Sequence, residues 1–309
     1  MIALVLGLLV SIAAVGLFLS NQKTYRATES LARIQESVRV AFELMARDMR
    51  EAAGNPCGNN LPVANVLNGA AGAGVPWWMN WNRGVFGYDG GGLQGSAAGT
   101  DAVEILSSGD VVVTVTRQDQ VPGMPGVFTL NTGNLGLRAK DIILVCDHSQ
   151  LSIVQVSSAG EGGRTVAFNQ GGTGPGNCTS GLGLPVACTP SGNGKFYRAN
   201  SLIAPLEAAQ WFVADNGRGG RSLYRLRREG STPRDQVRDE ITEGIRDMQI
   251  TYLVAGADGY VNARPGLDWS AVIAVRLVLS LEGTGRVGVA GTRLVRSFSH
   301  TVTLRNRNT

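Results

Sequence analysis

Only two histidines, His148 and His300, are available to activate a nucleophile in this 309-residue chain. A catalytic serine or cysteine needs such a base beside it, and many hydrolases present the serine in a Gly-x-Ser-x-Gly turn. The sequence contains no turn of that pattern. His300 lies in a predicted strand and His148 at the end of another. We therefore predict that both are surface or packing residues and that the chain is not an enzyme.

Motifs for phosphate and metal binding are incomplete. The Gly194-Lys195 pair lacks both the first glycine and the final Ser or Thr of a phosphate-binding loop. The Asp-containing loops 255–260 and 214–219 offer oxygen atoms, but neither follows the EF-hand pattern for calcium. Accordingly, we predict no cofactor and no metal site.

The four cysteines, Cys57, Cys146, Cys178 and Cys188, favour a pair of disulfides, because no two have the C-x-x-C spacing of redox or zinc motifs. Cys178 and Cys188 lie ten residues apart in a Gly/Pro/Ser-rich segment, which a bond between them would order. Cys57 follows the predicted helix end and Cys146 ends a predicted strand. Among the three pairings we favour Cys57–Cys146 with Cys178–Cys188, which indicates an oxidising compartment.

The composition is that of a folded chain with long loops. Hydrophobic residues make up 43% and charged residues 17%, so the chain can bury a core, while 42 glycines favour loops. The net charge is +4, but the basic residues are scattered along the sequence. Nucleic acid is therefore the less favoured partner, although it stays open.

An uncharged apolar run, Met1–Leu19, is close to the ~20 residues that cross a bilayer. A secretory signal is the alternative, but no basic region precedes the run and no A-x-A site follows it. We predict a membrane anchor. Lys23 and Arg26 follow the span, and the positive-inside tendency would place that side in the cytoplasm, against our topology. A basic leader upstream of Met1 would resolve this conflict.

A proline-free amphipathic segment continues from the anchor and ends at Gly54 and Pro56. Arginine and glutamate alternate on one face, and apolar residues recur at spacings of three and four on the other. We predict one rod from Met1 to about Ala53, although a separate coiled-coil stalk is the alternative. The residues predicted to pack on the head are Leu31, Ile34, Val38, Phe42, Met45 and Met49.

The rest of the chain predicts short antiparallel strands. These are Val103–Leu106, Val111–Thr116, Asp141–Cys146, Leu151–Ser157, Thr165–Phe168, a hairpin of Gln210–Val213 with Ser222–Arg227, an alternating strand from Ile273 to Leu281, and the run Arg293–Arg305. Before them, Trp77, Trp78 and Trp81 either plug a core or bind a partner. The fold class is α+β, with a helical segment 1–54 and a β-rich extracytoplasmic head 55–309.

The two ends of the chain resemble type IV minor pilins of the PilW family, which is related to the minor pseudopilins of type II secretion. The resemblance is carried by the N-terminal run from MIALVLGLLVSIAAVGLFL to MREAAGNPC, the hairpin WFVADNGRGGRSLYRLRR, and the C-terminal stretches ITEGIRDMQITYLV, Trp269, VIAVRLVLSL and FSHTVTLRNR. The middle of the chain, especially Pro62 to Gly99, contributes nothing to it. In such pilins a basic leader and a glutamate precede the part of the helix seen here, so both are expected upstream of Met1.

The resemblance implies a long helix on an antiparallel sheet and assembly into a filament through apolar helix halves. Small residues there, Gly7, Ala13, Ala14 and Gly16, would permit close helix contacts. Implied partners are other minor pilins, the major pilin and the inner-membrane assembly platform, with the membrane before assembly. The implied location is the inner membrane, with the head in the periplasm, and then the surface pilus. A type II pseudopilin and an anchored surface adhesin are the alternatives.

Overall fold

A single helix forms the N-terminal part of the molecule. The computed structural model describes residues 2–70, 74–81, 83–133, 136–228, 236–283, 285 and 292–307, without the side chains of 3–5 and 161. Helix α1 (Ile2–Glu51) is continuous, about 75 Å long at 1.5 Å per residue. Ala53 takes a left-handed conformation (φ 58°) and ends it. The predicted rod is thus confirmed without a separate stalk; its first predicted residue, Met1, lies outside the described residues.

Strands of different lengths follow the helix. They are β1 (Val63–Asn65), β2 (Val85–Tyr88), β3 (Ala102–Ser108), β4 (Val113–Asp119), β5 (Gly126–Leu130), β6 (Ile142–Cys146), β7 (Leu151–Gln155), β8 (Ser158–Ala159), β9 (Thr165–Phe168), β10 (Leu202–Asp215), β11 (Arg221–Arg228), β12 (Gln236–Glu243), β13 (Ile245–Val254), β14 (Val261–Asn262), β15 (Val272–Glu282) and β16 (Val295–Thr303). Short 3₁₀ turns lie at Trp77–Met79, Glu161–Gly163, Trp269–Ala271 and Arg305–Arg307.

The long strand β10 connects two parts of the larger sheet. Its first residues pair with β6 on one edge and β4 on the other, and its last residues pair with β11 and β3. Strands β2 and β12 extend the second part. The first part continues through β7 and β1 on one side, and through β5, β9 and β8 on the other. Every pair is antiparallel except β1 with β7.

A second, antiparallel sheet has the strand order β14-β13-β15-β16. The C-terminal half of α1 shares one apolar core with this sheet and with the β3-β10-β11 part of the larger one. Met45 and Met49 have no exposed surface there. Burying each side chain contributes about 2 kcal/mol to stability. The predicted long helix with an antiparallel β head is confirmed.

The predicted helix stripe lies against the head. Ile34, Val38, Met45 and Met49 are buried, while Leu31 and Phe42 are half-buried. The arginines and glutamates of the opposite face are exposed, as their phase predicts.

The remaining strands enclose two further apolar clusters. Phe128, Phe168 and Tyr197 lie at the centre of one, between β4, β5, β6, β7 and β9. Trp78 and Trp81 are buried in the other, where Trp77 is half-buried. The tryptophans therefore fill a core beneath the loop that carries them.

Two strand predictions need correction. Val111 and Val112 are exposed and precede β4, because pairing with β10 starts only at Val113. Ile273 is half-buried, although its alternation with Val275 predicts burial. Ile273 is the extra residue of a β-bulge in β15, because Val272 and Ala274 pair with the consecutive residues Val254 and Leu253 of β13, and the bulge changes which side chains face the core there.

Both predicted disulfides are present. Cys57 bonds Cys146, at a sequence separation of 89, and fastens the end of α1 to β6. Cys178 bonds Cys188, ten residues away, within the Gly/Pro/Ser-rich segment. No described cysteine is free.

The division of the chain into 1–54 and 55–309 stays a proposal. Because the core includes α1 from Ile34 onwards, the head needs the second half of the helix but not the first. A shortened chain that begins at Thr28 is expected to be soluble, monomeric and β-rich after export to an oxidising compartment. Circular dichroism and sedimentation check this. Aggregation of the shortened chain, when the chain with the full apolar helix folds correctly, would contradict it.

Candidate functional site

The first half of α1 is an uncovered apolar surface. Side chains from Leu6 to Leu19 are exposed, including Val10 at 69% and Phe18 at 67%. By length and composition, the part of this helix from Leu6 to Glu51 contains a stretch able to cross a membrane. Apolar surface of this extent is costly in water, so lipid or other protein must cover it.

The four small residues of this half are exposed but do not form one strip. At 100° per residue, Gly7 and Ala14 lie on one face, and Ala13 and Gly16 lie on another. A Cβ atom placed at Gly7 or Gly16 meets no atom of the chain within 4 Å. The helix therefore offers two faces for close approach, and the chain itself does not require glycine at these positions.

A buried polar cluster fixes the second half of α1 to the β10–β11 hairpin. The indole Nε1 of Trp211 donates a hydrogen bond to Asp48 Oδ2 at 2.8 Å, and Arg225 Nη2 donates to Asp48 Oδ1 at 2.8 Å. Asp48 lies three residues after Met45, on the same side of the helix, so the helix points it into the head. The cluster therefore links the helix to both strands of the hairpin.

Sequence reasoning missed this cluster, although it left a signal. Asp48 is an acidic residue in the phase of an apolar stripe, and Trp211 begins the hairpin that carries the resemblance. A buried carboxylate in that phase needs donors from the packed element.

Burial raises the pKa of Asp48, and the hydrogen bonds and positive charge from Arg225 and Trp211 offset this only in part. Nearby, burial also raises the pKa of Glu51 and of Glu207. These residues line a groove of about 570 Å³ beside Arg47 and Arg225. No histidine or cysteine is among the described residues of its lining, so it offers mixed charge and no nucleophile–base pair.

The pH dependence of stability tests the environment of Asp48. Because the pKa of Asp48 is raised, there is a pH range in which the folded chain still holds this proton and the unfolded chain has lost it. The contribution of the protonated carboxyl to stability is therefore lost as the pH rises through the folded pKa. The quantity to compare is the difference in unfolding free energy between the native chain and Asp48→Asn (native minus variant). We expect this difference to become smaller as the pH rises from 4 to 7. Unfolding by denaturant at both pH values measures it, and a difference that grows with pH would contradict the burial argument.

Neither histidine joins a cluster that could do chemistry. His148 is exposed at the β6–β7 turn, and the His300 ring packs on Phe42 with 5.3 Å between ring centroids. Within the described ranges, no group of three or more His, Cys, Asp or Glu side chains could hold a metal ion.

Comparison with known proteins gives one family match. The model of the type IV pilus-assembly protein W family matches residues 210–287, about a quarter of the chain. The described part of this segment contains Trp211, Arg225, the second part of β10 and the strands β11 to β15. The match confirms the resemblance to the PilW family that the sequence indicated. No curated protein matches the chain.

Among solved structures, a type IV-like pilin TTHA1219 from Thermus thermophilus is similar at a TM-score of 0.31 with 10% sequence identity. The alignment covers 90% of this chain and 98% of that one.

Proposed function

We propose that this chain is a structural minor pilin, which helps to initiate assembly of a type IV pilus and is incorporated into it. The observation that carries the proposal is one continuous helix with two different halves. Its first half is apolar and exposed, and its second half packs into the core of the head. Residues 210–287, which contribute to that core, match the pilus-assembly family.

In this role the two halves act in different environments. Before assembly the exposed half lies in the inner membrane and the head lies in the periplasm, where disulfides such as Cys57–Cys146 can form. On assembly the exposed half leaves the lipid and packs against helices of other minor pilins and of the major pilin, with help from the inner-membrane platform. Motility, adhesion and DNA uptake are downstream roles of such a pilus. No enzymatic activity is part of the proposal.

Deletion of the gene tests this function. We expect the deletion strain to lose most of its surface pili and to regain them when the full gene is supplied. An antibody to the head should detect the chain in sheared pili, in small amounts relative to the major subunit. Normal piliation without the gene, with the chain absent from sheared pili, would contradict the proposal.

A further inference from the structure

Strand β16 forms an open edge of the smaller sheet. Among the described residues it pairs with β15 and with no other strand. It is nine residues long, and most of its side chains are exposed or half-buried. A long edge strand is a template for pairing with another chain unless the fold protects it.

The register shows which backbone groups point outward. The Leu304 N–H donates to the carbonyl of Ile273, and the Gly283 N–H donates to that of Leu294. With the β15–β16 register, these bonds place the even-numbered residues of β16 in hydrogen bonding to β15. The N–H and C=O groups of the odd-numbered residues Ser297, Ser299 and Thr301 therefore point to the free edge.

A groove beside this edge could hold the side chains of an added strand. It has a volume of about 510 Å³ and lies between α1 and β16. Its apolar lining comes from Val38, Phe42 and Ala46 on the helix and from Phe298 on the strand. Phe42 and Phe298 are each half-buried, so apolar side chains could bury their remaining surface.

The charges around the groove are mostly basic. Arg39 and Arg50 line it, and Glu43 is held by Arg39 at 2.9 Å. Arg50 has no ion pair in the part of the chain that the structure describes. Arg296 is exposed on the same face of β16 as Phe298, because alternate residues share a face. Acidic side chains complement this rim, whereas a second copy would bring like charges together across the edge.

We propose that the free edge of β16 binds an extended segment of another polypeptide as an added β-strand, and that this segment carries both apolar and acidic side chains on the face that meets the helix. Its backbone pairs with Ser297, Ser299 and Thr301, and its apolar side chains enter the groove between α1 and β16. Its carboxylates lie near Arg39 and Arg50. This binding does not depend on the pilus function proposed above.

The probe is a ten-residue peptide labelled with a fluorophore, in which valine and glutamate take turns at every second position, on one face of the strand, and threonine occupies the positions between them. Fluorescence anisotropy measures its binding to the full chain in detergent micelles. We expect saturable binding, weakened about tenfold in Ser299→Pro, which removes an outward N–H and leaves the β15 ladder intact. Ser299→Thr, which keeps that N–H, should bind within about twofold of the native chain.

Charge gives a second test that does not perturb the strand. Arg50→Glu should weaken the valine–glutamate peptide about tenfold and strengthen a matched valine–lysine peptide. Absence of saturable binding to the native chain, or equal binding by Ser299→Pro and Arg50→Glu, would overturn the proposal. Dimerisation of the native chain that Ser299→Pro abolishes would assign the edge to a second copy and would also overturn it.

Discussion

Removing the Cys57–Cys146 disulfide, by replacing both cysteines with alanine, is expected to lower the free energy of unfolding by about 4 to 5 kcal/mol. This bond closes a loop of 89 residues, so its loss frees much chain entropy in the unfolded state. It also unfastens the end of α1 from β6. Denaturant unfolding of the full chain in detergent, followed by fluorescence of its buried tryptophans, measures the change.

The second disulfide is the matched control. Cys178–Cys188 closes only ten residues, so the same double replacement there should cost about 3 kcal/mol. An equal or larger cost at Cys178–Cys188 would contradict the view that Cys57–Cys146 is the main covalent link between helix and head.

Replacing Asp48 with alanine is expected to destabilise the chain by about 3 kcal/mol at pH 7. The change leaves the Arg225 guanidinium and the Trp211 indole N–H facing a buried site without their acceptor. Arg47→Ala one residue earlier is the control, because the Arg47 side chain is 61% exposed in its pair with Asp110. That variant should leave the unfolding free energy close to the native value, because an exposed ion pair contributes little. Similar losses in both variants would contradict the role of Asp48 as the buried link.

Local patterns were sufficient for much of this fold. The helix stripe from Ile34 to Met49 could be predicted because spacings of three and four place side chains on one face regardless of what covers them. The C-terminal strands alternate with period two, and the short Cys178–Cys188 loop is a local property as well.

The rest depends on pairings that are distant in sequence. Nothing in the sequence of β10 shows that its two halves join different parts of a sheet, because strand partners are chosen by contacts across the whole chain. The donors to Asp48 lie more than 160 residues away. Ile273 was misassigned because it is the extra residue of a β-bulge, and the bulge is visible only in the way β15 pairs with β13.

The central claim is that the exposed half of α1 packs against other subunits in a filament, and Gly16→Leu tests it most directly. The chain has room for the larger side chain at this position, and leucine keeps the helix apolar, so folding and membrane insertion should be unaffected. Close helix approach in a filament would be blocked. Gly16→Ala, with a much smaller side chain, is the matched control.

The quantity to measure is the ratio of sheared surface pili to cell-associated protein, in a strain without the native copy. We expect Gly16→Leu, alone or with Ala13→Leu, to lower this ratio several-fold while membrane levels of the chain stay constant, and Gly16→Ala to leave it near the native value. An unchanged ratio in the leucine variants would contradict filament packing through this half of the helix and would favour a membrane anchor alone.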